Sequence, residues 1–158
     1  MNEVELTADL FIAFLDGIQN RKRVRVYYKE YDERFEKRDE LERAFDETIS
    51  LITRLFGDNL KKSVFKKPAL FYALFLSLHN LKHPVPGLPE ADLADLTAKA
   101  ESKIKSCLDR IEELTSAEDL TREELEFVTS ISRATSDGES RKTRTVYIVN
   151  QLNKALSD

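Results

Sequence analysis

The chain has 158 residues, 41% hydrophobic and 34% charged, with four Gly, four Pro, no Trp and a formal net charge of −4. Such a length suits one domain, residues 1–158, that buries roughly two-thirds of its unfolded surface without covalent staples, and the composition excludes the disordered class. The single Cys107 excludes an internal disulfide framework and a Cys-based zinc site and fits a reducing, cytoplasmic setting, while the acidic total argues against a generally basic nucleic-acid binder.

The opening MNEVELTADL lacks the basic and long apolar parts of a signal peptide, so secretion is not expected. Apolar residues at three- and four-residue steps predict a first helix over about Thr7 to Gln19, with Thr7 as N-cap and Gly17 weakening its end. Leu10, Phe11, Phe14, Leu15 and Ile18 share its face. A basic run, Arg21 to Arg25, leads into an amphipathic stretch from Tyr27 to Phe56, read as two helices or one bent one stopping at Gly57. After the short segment Leu60 to Lys67, Pro68 suits the first turn of a new helix, where its missing N–H costs nothing. The residues that follow, Ala69 to Leu76, are apolar on nearly every side and predict the central buried helix. Their run is too short to span a bilayer, so no membrane role is expected.

Three of the four prolines fall between His83 and Pro89, which predicts a loop. A helix from about Glu90 to Leu114 is expected next, and a capping box at Thr121 to Glu124 opens another that carries Leu125, Phe127, Val128 and Ile131. A turn at Ser136 to Glu139 precedes the last helix, with Val146, Ile148, Val149, Leu152 and Leu156. The expected fold is therefore all-α, a compact bundle of about six to seven helices around the Pro68 to Leu81 helix.

Catalytic chemistry is not visible in these residues. His79 and His83 stand four apart, as in many helical metal sites, but no carboxylate lies at a neighbouring position on that face and Pro84 ends the helix there. No metal and no cofactor are expected. Helical RNases of the HEPN type place an arginine shortly before a catalytic histidine, and residues 68–78 contain none. Gly-rich phosphate loops, nucleophile elbows, paired Cys and His-Asn-His signatures are likewise missing. Three basic clusters remain that could neutralise phosphates if folding exposed them: Arg21 to Arg25, the lysines Lys61, Lys62, Lys66 and Lys67, and the group Arg133, Arg141, Lys142 and Arg144.

Four stretches resemble a known family: VELTADLFIAFLDGIQNRKRV with YYKEYDERF at the start, NLKKSVFKKPALFYALFLSL in the middle, and EFVTSISRATSDGESRKTRTVYIVNQL at the end. Together they are similar to the C-terminal helical half of the GmrSD-type restriction family, in the subunit whose ParB-like N-terminal part carries an Asp-Gly-Gln-Gln-Arg motif. That motif is absent here, and so is the family's His-Asn-His nuclease part, so the resemblance implies no enzyme activity. Its implication is a non-catalytic helical module of a DNA-targeting phage-defence system, read as a truncated or split product or a fragment. The expected partner is a ParB-like or His-Asn-His-type protein, with DNA as a further candidate. By position, Arg141 and Arg144 match a spaced arginine pair of the family, which the resemblance implies faces the missing half or a nucleic acid. The alternative is pairing with Glu124 or Glu126. Loss of the other half predicts an exposed apolar patch at Phe11, Phe14 and Leu15. A second reading keeps a self-contained nuclease or toxin-like enzyme using His79 or His83, and a third a plain nucleic-acid-binding module.

Overall fold

The computed structural model describes residues 3–20, 27, 37–91, 95–132 and 137–157. They form six α-helices: α1 Glu3–Asp16, α2 Arg38–Phe56, α3 Pro68–His79, α4 Ala98–Leu114, α5 Arg122–Ser132 and α6 Gly138–Ser157. Two 3-10 turns, Gly57–Lys62 and Val64–Lys66, join α2 to α3. Among the described residues there is no strand, and no helix is long and apolar enough to cross a membrane.

Helix α3 forms where the sequence is apolar all round, with Pro68 in its first turn, and nine of its residues, Leu70 and Tyr72 to His79, are buried. Around it the other helices are amphipathic and spend one stripe each. On α2 the stripe is Ala44, Thr48, Leu51, Ile52, Leu55 and Phe56, and on α4 it is Ala100, Ile104, Leu108 and Ile111. Helix α3 packs on α1, α2 and α6, and α6 also touches α4 and α5. The core thus has two central helices, α3 and α6, where one was expected.

Local signals set most boundaries. Gly57 follows α2 with a φ of +50°, a left-handed conformation that glycine adopts without strain, and its N–H donates to the Thr53 carbonyl. The Thr121 and Glu124 capping box opens α5 with reciprocal bonds of 2.7 and 3.4 Å. Asp137 accepts from the N–H groups of Glu139 and Ser140 to start α6.

Two expected starts shift. Helix α1 begins at Glu3, so Thr7 lies inside it instead of capping it, and it ends at Asp16, before Gly17. Helix α4 begins at Ala98, well past Glu90, because Thr97 accepts from the Ala100 N–H at 3.2 Å and caps the helix there. The expected Arg21 to Arg25 run lies outside the described residues, as do Tyr28, Tyr31 and Phe35.

Candidate functional site

Two polar centres are built into this apolar bundle. The first joins α1, α3, α5 and α6. Asp9 and Arg141, 3% and 4% exposed, form an ion pair of 2.8 Å. The Arg141 guanidinium also donates to the Gln19 carbonyl at 3.3 Å and lies 4.7 Å from the centre of the Tyr72 ring. One helical turn on, Arg144 is fully buried and donates to the Ser130 carbonyl of α5. Burial, and then the neighbouring Arg141 charge, push its pKa down to about 10, so it stays charged at neutral pH. Ser77 of α3 donates to the Ala73 carbonyl at 2.7 Å, and the Thr145 carbonyl of α6 lies 3.3 Å from the same hydroxyl. Burial holds the Tyr72 phenol well above its ordinary range, so the ring faces the arginine as a neutral group.

This arrangement corrects the expected nucleic-acid surface. Arg141 and Arg144 are inside the core and cannot meet a phosphate, and their partners are Asp9 and Ser130, not Glu124 or Glu126. Those two acids are engaged elsewhere, Glu124 in its capping box and Glu126 with Arg122. Lys142 is exposed and lines a shallow 230 Å³ cavity with Asp16, Gly17 and residues 86–88, while Arg133 lies outside the described residues.

The expected docking patch on α1 is reduced, with Phe14 taken into the core and Phe11 and Leu15 half-buried. Phe14 is buried, stacked on His79 at 3.8 Å between ring centres and on Phe75 at 6.0 Å. Phe11 packs on Phe45 at 5.3 Å, and Leu15 is half-buried, so the helix spends its aromatic face on its own core.

The second centre lies at the C-terminal end of α3, beside α2. The Thr48 hydroxyl donates to the Ala44 carbonyl at 2.8 Å and lies 3.0 Å from His79 Nδ1. A hydroxyl whose proton is already committed can only accept there, so Nδ1 carries the hydrogen and Nε2 keeps a lone pair. Burial, followed by the approach of His83, pulls the His79 pKa down to about 4, and the ring is neutral at physiological pH. His83 follows one turn later, past the helix end, with ring centres 5.1 Å apart. Its Nε2 is 3.0 Å from Glu47 Oε2, and this bond holds the Glu47 carboxyl below its ordinary range.

Both histidines, Glu47 and Thr48 line an open cavity of about 360 Å³, with Arg43, Arg54 and Lys82 among its other walls. Here the structure supplies the carboxylate that α3 alone lacks, from a different helix. Among the described residues, no group of three His, Cys, Asp or Glu is placed to hold a metal ion. Cys107 is half-buried, its thiol pushed up to about 11 by burial, and it is no nucleophile at neutral pH.

Asp9, Glu47 and Thr48 were not singled out from sequence. Asp9 and Thr48 each carried a signal, since both occupy core-spaced positions: Asp9 between Leu6 and Ala13, Thr48 between Ala44 and Leu51. A polar residue on a buried stripe implies a buried partner.

Fold and centres together define an all-helical domain with a buried ion-pair clasp and an open histidine cleft. No protein-family model, curated protein or solved structure matches the chain.

Proposed function

We propose that the chain is a non-catalytic helical module of a GmrSD-type, DNA-targeting defence system in the cytoplasm, offering scaffold or nucleic-acid-facing surface to a ParB-like or His-Asn-His partner. The reading is carried by one observation: the stretches that resemble the family meet in one buried network. Asp9 comes from the opening stretch, Tyr72 and Ser77 from the middle one, and Ser130, Arg141, Arg144 and Thr145 from the closing one. They make a single folding unit, as a module that works beside another protein requires. Because α1 is spent on the core, the partner-facing surface belongs on other faces than Phe11, Phe14 and Leu15.

Tagged protein recovered from lysate of its source, with the eluate assayed for proteins and nucleic acid, is expected to bring down a ParB-like or His-Asn-His partner. An empty eluate from well-folded protein would remove the defence reading.

The histidine cleft favours a second reading, a self-contained nuclease or toxin-like enzyme. A neutral imidazole beside a histidine bonded to a carboxylate is a pairing that acid–base cleavage can use. Labelled RNA and DNA are expected to survive incubation with the chain. Cleavage that disappears in His83→Ala, a half-exposed position whose change leaves the core intact, would put the enzymatic reading first.

A further inference from the structure

The two 3-10 turns between α2 and α3 present Lys61, Lys62, Lys66 and Lys67, all four exposed, within seven residues. The backbone that carries them is pinned from below. Phe65 is fully buried and meets Phe56 edge-on with ring centres 5.7 Å apart. Ser63 Oγ accepts from the Phe65 N–H at 3.1 Å, and Glu112 of α4 accepts from the Val64 N–H at 2.9 Å. The lysines therefore project from a fixed platform, which lowers the ordering cost of binding.

Among the described residues none of the four has a carboxylate partner, as is true of several other surface cations such as Lys82 and Lys142. Asp58 is the one acid between Gly57 and Lys67, so the segment inverts the chain's net charge of −4 locally.

We infer that this lysine platform is where the module holds the sugar–phosphate backbone of a nucleic acid. The inference rests on the module reading above and narrows it to one face, since Arg141 and Arg144 are buried and cannot serve that role. The chemistry separates this ligand from the other polyanions. Protein interfaces are depleted in lysine and built on aromatic anchors, and the aromatic here, Phe65, points inward. A membrane surface needs an apolar face beside the charges, yet Leu60, Val64 and Phe65 all pack on the core. Lysines act chiefly as point charges on phosphates, so binding is expected to depend little on sequence.

The test is fluorescence anisotropy of a labelled duplex and a labelled single strand with the whole chain, titrated between about 50 and about 200 mM salt. Four phosphate contacts give a log–log salt slope of about −3.6 for duplex, a roughly 150-fold loss of affinity over that range. The quadruple variant Lys61→Gln, Lys62→Gln, Lys66→Gln, Lys67→Gln is expected to lose measurable binding while keeping a cooperative melting transition, since no described ion pair is broken. A variant that binds as tightly as the native chain overturns the platform and leaves the module reading standing. Absence of binding by the native chain at low salt overturns the platform and the nucleic-acid-facing branch together, and the scaffold branch then rests on the pull-down. Equal affinity for phosphatidylserine vesicles or polyglutamate overturns the assignment to nucleic acid.

Discussion

Asp9→Ala is expected to destabilise the domain by about 3–5 kcal/mol, a large share of the roughly 5–15 kcal/mol that holds a domain of this kind together. The loss is not the value of one ion pair. It is the cost of leaving the Arg141 charge in a nearly dry site where, among the described residues, the Gln19 carbonyl and the Tyr72 ring remain to compensate it. Arg144 lies close enough that the two like charges already oppose each other. At this chain length the change corresponds to a fall in Tm of about 6–20 °C.

The double variant Asp9→Leu, Arg141→Met separates the explanations. With both charges gone, stability should return most of the way, because well-packed apolar replacements of buried pairs are often neutral. A double variant no more stable than Asp9→Ala would show that the two residues are not coupled as the geometry has them. Urea midpoints at constant m-value provide the measurement.

The second large effect depends on pH. His79 has a folded pKa of about 4 against about 6.5 for the free side chain, so the unfolded chain takes up a proton that the folded one refuses. Stability is therefore complete above about pH 6.5, declines as the pH falls through the window between the two values, and levels off below about 4. The shift is worth about 3 kcal/mol across that window. The physical cost is the loss of water around a buried imidazolium, followed by repulsion from the neighbouring His83. Glu47 acts in the same direction, but at the more acid end, where its bond to His83 is lost. His79→Gln should flatten the dependence between pH 6.5 and 4 while leaving the lower part in place. Equal slopes in the native and variant chains would mean that the histidine is not the group responsible.

Much of the fold could be read from residue spacing because its signals are local. The all-apolar Ala69 to Leu76 run forms a helix buried on all sides, Pro68 opens it, and the proline-rich His83 to Pro89 segment is a connection, tied down by Asn80, which bonds Pro89 and Val85. Helix α4 misled for a local reason too. Leu93 and Leu96 continue the helical spacing upstream of its true start, and the cap at Thr97 lacks the acidic residue three places on that marked Thr121 as a capping box.

The candidate sites were harder, because their chemistry is assembled from distant stretches. The histidines were visible, but Thr48 and Glu47 approach them from α2, more than thirty residues earlier. The arginines were visible, but which way they face depends on an aspartate on another helix. Spacing along one helix fixes a face and cannot say whether a neighbour will cover it.

The clasp between Asp9 and Arg141 joins residues 132 positions apart. During synthesis at about 5–20 residues per second, Asp9 waits roughly 7–26 s before its counter-charge is even made. Until then the phenylalanines of the first helix have their partners in Phe45, Phe75 and His79, but the carboxylate lacks the charge that compensates it in the core. Closure of the clasp, which ties the first helix to the last, is then a late event in the biogenesis of the domain.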